Sequence, residues 1–130
     1  MTEGPISTPT SEPRRRAYGL AALGGAFYVL GWAGFGLWPL SLLCLIPLWG
    51  ALELGLARTW RHSLAVGWLY GTVTCAGGYH WLVEFLSVLS GYGYAASVLF
   101  WILFSAYLGF NFAVYGVVYR ALRMRGWPTS

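Results

Sequence analysis

Long apolar runs and short polar or basic breaks alternate along this chain. The runs cover residues 17–34, 38–56, 63–86 and 94–119. Each is near the roughly 20 residues that a helix needs to cross a bilayer core of about 30 Å. The pattern predicts an all-α membrane protein with four transmembrane helices. Residues 1–16, with Pro5, Pro9 and Pro13 among Ser and Thr, read as a disordered cytoplasmic tail. Residues 17–125 form the membrane domain, and residues 126–130 form a second tail.

Local signals refine the four runs. The first is rich in glycine and alanine, which suits close helix contact in lipid. The turn at Gly34 to Trp38 ends at Pro39, which fits the first turn of a new helix because its missing N–H has no partner there anyway. Pro47 lies inside the second run, so a kink is expected there. In the third run Gly67, Gly71, Thr74 and Gly78 recur at i, i+4, i+7 and i+11. At about 100° per residue they form one small-residue stripe for packing against a neighbour. Ser105, Gly109 and Gly116 repeat the spacing in the fourth run, and Asn111 is expected to make an interhelical hydrogen bond.

Composition agrees. The chain is 58% hydrophobic and 9% charged, against roughly 25% charged in soluble domains. The net charge of +4 comes from arginines alone on the basic side, in three groups: Arg14, Arg15 and Arg16; Arg58 and Arg61; Arg120, Arg123 and Arg125. Each group borders an apolar run, as topology determinants do, so no nucleic-acid partner is expected. With alternating helices all three groups share one side, and positive-inside places both termini in the cytoplasm (N-in/C-in). Arg14 to Arg16 before an apolar run resembles the start of a secretory signal, and an uncleaved start-transfer helix is expected.

The chain has neither lysine nor aspartate, which closes Schiff-base, Glu-Lys-Cys and Ser-His-Asp chemistry to it. Cys44 and Cys75 lie inside apolar runs and read as small buried hydrophobes. No catalytic residue, metal site or cofactor is expected. Glu53 reads as an interfacial acid paired with the nearby Arg58 and Arg61, and His62 as a solvated loop residue. Glu84 is the acid far along the chain from any arginine. A carboxylate at a membrane edge is a functional-site hypothesis. His80 and Glu84 are i, i+4 and their side chains can meet on one helical face. With Trp38, Tyr79 and Trp81 they make a candidate patch facing lipid or substrate at the outer end. The plainer alternative is an acid that snorkels to the headgroups.

Three segments resemble a known family in the same order. Phe35-Gly36-Leu37-Trp38-Pro39-Leu40 resembles the first hairpin of apolipoprotein N-acyltransferase, Gly78-Tyr79-His80-Trp81-Leu82-Val83 the end of its third helix, and Ala106-Tyr107-Leu108-Gly109-Phe110 its fourth. The resemblance spans residues 17–125. It implies a bacterial inner-membrane protein that serves acyl transfer from phospholipid to the N-terminal cysteine of lipoproteins. That family carries its Glu-Lys-Cys triad in a nitrilase-like domain, which is absent from these 130 residues. Trp32-Ala33-Gly34 also stands where the family often has Phe-Pro-Pro. The resemblance therefore implies a truncated or split form that binds membrane phospholipid and partners a separate nitrilase-like chain or itself. The alternatives are a non-catalytic membrane scaffold and a small proton-coupled exporter using Glu84.

Overall fold

The structure is a computed structural model that describes residues 12–32, 37–55, 59–91 and 93–126, without the side chains of Glu12 and Trp38. Among the described residues the chain is all-α, in the order α1 (Glu12–Trp32), α2 (Trp38–Leu43), α3 (Leu45–Gly55), α4 (Trp60–Gly78), α5 (Leu82–Leu89) and α6 (Tyr94–Met124). Most of the expected tail lies outside these residues, but α1 begins at Glu12, so Arg14 to Arg16 are helical. Pro13 sits in the first turn, where a missing N–H costs no hydrogen bond.

The second run is helical in two pieces that meet at Cys44. Pro47 has no N–H for the Leu43 carbonyl, and its ring crowds that carbonyl, so the chain turns there. Cys44 Sγ donates to the Ser41 carbonyl oxygen at 2.8 Å, which occupies an acceptor beside the break.

The third run breaks where an unbroken helix was expected. α4 ends at Gly78, Tyr79 to Trp81 form a turn, and α5 starts at Leu82. Adjacent Gly77 and Gly78 weaken the helix, because glycine loses the most backbone freedom on ordering. Tyr79 N–H still bonds Cys75 O at 2.9 Å, and Leu82 N–H then turns to Tyr79 O at 3.0 Å. At the other end α4 already starts at Trp60, so Arg61 and His62 lie in its first turn. His62 is buried against Tyr18, with ring centroids 5.3 Å apart, and is not a solvated loop residue. α6 runs past the expected end at Tyr119 to Met124. Its 31 residues span roughly 46 Å at 1.5 Å per residue.

Helix directions follow from which residues meet. Gly31 approaches Ser41 and Gly24 approaches the Cys44 carbonyl, so α2 and α3 run antiparallel to α1. Gly25 packs on Val73 and Gly77 on Val29, so α4 runs parallel to α1. Gly116 meets Ser63 and Gly71 meets Gly109, so α6 runs antiparallel to α4. The α4–α6 pairing is the most extensive in the bundle, and among the described residues the backbones of α1 and α6 stay apart.

The interior is small and the exterior large. α6 buries Ser97, Ser105, Gly109, Ala113 and Gly116, yet exposes Phe100, Leu103, Tyr107 and Phe110. That is the arrangement expected when helices pack through small residues and meet lipid with large ones. The compact core beside it holds Ala17, Ala21, Leu48, Ala51, Leu52, Val66 and Tyr70. Among the described residues, α6 is the helix long and apolar enough to cross a membrane. The breaks at Cys44 and at Tyr79–Trp81 shorten the other runs, and α1 carries three arginines in its 21 residues.

Candidate functional site

The small-residue stripe on α4 divides. A Cβ on Gly67 would overlap the Phe112 carbonyl oxygen, and one on Gly71 would lie 2.8 Å from Gly109 Cα. Thr74 is buried on the same helix. Gly78 departs from the stripe, because nothing lies within 4 Å of a Cβ placed there. On α6, Ser105 is buried and Gly109 faces Thr72. Two indoles tie the same helices together: Trp68 Nε1 donates to Ala106 O at 3.0 Å and Trp101 Nε1 to Ala76 O at 3.1 Å. Among the described residues Asn111 makes no such interhelical bond. Its Nδ2 donates within α6 to Leu108 O at 3.1 Å, and the residue is exposed.

The turn after α4 positions the predicted patch. Tyr79 stands edge-on to Phe104 at 5.6 Å, and Trp81 edge-on to Phe85 at 5.8 Å. His80 is exposed, and its Nδ1 lies 2.8 Å from the Gly77 carbonyl oxygen, which makes that nitrogen the donor. Glu84 is exposed in the first turn of α5. No hydrogen bond or ion pair joins it to His80 among the described residues. The helix break is the reason, since i, i+4 side chains meet only when one helix carries both. The Trp38 side chain lies outside the described set.

Tyr79 and Trp81, rather than His80 and Glu84, line a cavity. It measures about 430 Å³ and lies over α4 between α1 and α6. Tyr28 and Trp32, stacked at 5.8 Å, wall it from α1, and Leu108, Asn111 and Phe112 wall it from α6. Thr74, Cys75 and Gly78 form its floor. A second cavity of about 230 Å³ shares Asn111 and Phe112 and adds Leu45, Leu48 and Tyr115. A third of about 340 Å³ shares those last three and reaches Trp49 and Tyr119. Together they make an apolar trough along α6 with aromatic side chains at both ends.

Residues 24–130 of the chain match the apolipoprotein N-acyltransferase N-terminal domain. The chain belongs to this family. The match starts inside α1 and takes in every later helix, so trough and turn both fall within the family domain.

The far end of the trough is closed by a polar network that was not expected. Glu53 pairs with Arg123 of α6; of the two arginines expected beside it, Arg61 forms no such pair among the described residues and Arg58 lies outside them. Tyr119 Oη donates to Glu53 Oε1, and Trp49 Nε1 donates to Tyr119 Oη. The signal for this pair was present in the alternation of helices, which brings the end of α3 beside the end of α6. Arg14, Arg15, Arg16 and Arg61 are exposed at the same end of the bundle, where α1 and α4 start. Arg120, Arg123 and Arg125 sit where α6 ends, and Arg58 lies outside the described residues. Cys44 and Cys75 are both buried free thiols.

Proposed function

We infer that this family member is a lipid-docking membrane unit of lipoprotein N-acylation. Phospholipid acyl chains lie in the trough along α6, and the Tyr79–Trp81 turn holds the headgroup end. The acyl-transfer chemistry is supplied by residues outside this sequence, which has no lysine for a Glu-Lys-Cys set. The observation that carries this reading is the aromatic-walled 430 Å³ cavity between α1 and α6, two helices whose backbones stay apart. It is open along the bundle side and lined by amphipathic rings, which favour the boundary between headgroup and hydrocarbon.

The same reading has four legs crossing the bacterial inner membrane: α1, α2 with α3, α4 with α5, and α6. Their alternating directions support it, as does the arginine-rich end, which positive-inside assigns to the cytoplasm. The trough's aromatic turn then opens to the outer leaflet. Glu84, exposed on α5 and away from the trough, lends no support to a proton-coupled exporter.

A phospholipid with a photoactivatable acyl chain tests the inference. After reconstitution and irradiation, peptide mass mapping should place adducts on the trough, around Tyr28, Cys75 and Asn111. Adducts confined to the outward face of α6, at Leu103, Tyr107 and Phe110, would overturn it.

A further inference from the structure

At the end remote from Trp81, α1 and α4 begin side by side and leave a second kind of cavity. It measures about 460 Å³ and is lined by Arg14, Tyr18, Thr59, Arg61, His62 and Ala65. Where the trough is apolar, this cleft presents two guanidinium groups, a phenol, an imidazole and a hydroxyl against one methyl.

Arg14 and Arg61 are exposed, and neither forms an ion pair with a carboxylate among the described residues. Arg123, by contrast, is engaged by Glu53. Aromatic rings hold the two guanidinium groups in place without neutralising them: Arg14 Cζ lies 5.6 Å from the Tyr18 ring and Arg61 Cζ 5.7 Å from the Trp60 ring. Their N–H forks stay available for the oxygens of an anion, and the guanidinium geometry matches phosphate. The field has the same sign. α1 and α4 run parallel, so both bring the positive ends of their dipoles to this end. Thr59 precedes α4 without a side-chain capping bond, which leaves its hydroxyl for a ligand.

We propose that this cleft is a phosphate-binding site at the membrane surface of the arginine-rich end. Its ligand is the phosphodiester of an anionic lipid headgroup or a soluble phosphate. The site is separate from the trough and does not depend on acyl transfer. It rests only on the bundle lying in a bilayer with this end at the surface, where basic residues attract anionic lipid.

The test uses the full chain in detergent, with native mass spectrometry of retained phosphatidylglycerol against phosphatidylcholine. Phosphatidylglycerol should be held preferentially. The double variant Arg14→Gln/Arg61→Gln should weaken its retention roughly tenfold or more. Arg125→Gln, exposed at the C-terminal end of α6, should stay within about twofold, since only side chains lining the cleft matter. Single variants, each losing about threefold on the same reasoning, keep the test decisive if the double variant does not fold. Unchanged retention in the cleft variants, or an equal loss in Arg125→Gln, would overturn the proposal. Displacement of the lipid by millimolar inorganic phosphate assigns the site to soluble phosphate, and persistence of the lipid assigns it to the headgroup. Co-flotation with vesicles is measured alongside. A chain that fails to float contradicts the membrane-spanning reading, whereas one that floats without lipid preference contradicts the cleft alone.

Discussion

Glu53 and Arg123 stand 70 positions apart and meet in a two-pronged ion pair, Nε to Oε1 at 3.0 Å and Nη2 to Oε2 at 3.2 Å. The pair joins α3 to α6, two helices that otherwise touch little because the trough runs between them. Both side chains are about one-third exposed, at 28% and 35%, so the pair works as a clasp at the end of the bundle more than as a buried anchor. Glu53→Gln should leave the bundle folded while the last turns of α6 exchange their amide hydrogens severalfold faster. The reversed pair Glu53→Arg/Arg123→Glu should recover part of the protection. Equal exchange at Tyr119 to Met124 in wild type and Glu53→Gln would rule the clasp out.

The α4–α6 seam is expected to be intolerant of a single added methyl group. Gly67 and Gly71 lie against the backbone of α6, so the helices must separate or shift to admit a Cβ. Gly67→Ala should cost about 1–3 kcal/mol, as overpacking does. Gly78→Ala meets open space and should stay within about 0.5 kcal/mol of wild type. Reversible unfolding in mixed detergent micelles measures both. Equal effects at the two positions would contradict the packing described.

Two indole N–H groups cross the same seam, and they are not equally placed. Trp101 is half-buried and donates to Ala76 O, whereas Trp68 is exposed and donates to Ala106 O. Trp101→Phe keeps most of the ring and removes the donor. It should cost about 0.6 kcal/mol, the average for interhelical hydrogen bonds in membranes, and no more than about 1.7 kcal/mol. A Trp101→Phe variant as stable as wild type would show that this bond adds nothing.

Pro47 sets the angle between α2 and α3. Pro47→Ala restores the N–H for Leu43 O, and α2 and α3 should join into one straighter helix. Pulsed electron resonance between spin labels at Leu42 and Leu54, both exposed, should then report a longer distance than in the wild-type background. An unchanged distance would move the cause of the turn from Pro47 to the packing of Gly24 on Cys44.

Glu84 is exposed and has no side-chain partner among the described residues. Glu84→Gln should therefore leave stability within about 0.5 kcal/mol and lipid crosslinking unchanged. Loss of crosslinking on this substitution would return the carboxylate to the site.

Much of this protein follows from local chemistry and was legible in the residues alone. Apolar runs, arginine borders and the Gly67–Gly71–Thr74 stripe mark helices that pack through small residues, because helical spacing alone aligns them. Pro47 marks its own break for the same local reason. The motif order around Trp38, His80 and Tyr107 pointed to the family that residues 24–130 match. What local chemistry left open was decided by contacts between distant segments. The glycine pair before Tyr79 tolerated either a helix or a turn, and the turn separates His80 from Glu84 while bringing Tyr79 and Trp81 to the trough. Glu53 had arginines nearby in sequence, but only the antiparallel packing, which sets the ends of α3 and α6 side by side, shows that Arg123 reaches it. His62 is buried because α1 and α4 run parallel and bring Tyr18 across it. A helix's own residues determine where it runs, but which faces meet, and so which cavity forms, depends on the close approach of backbones far apart in the chain.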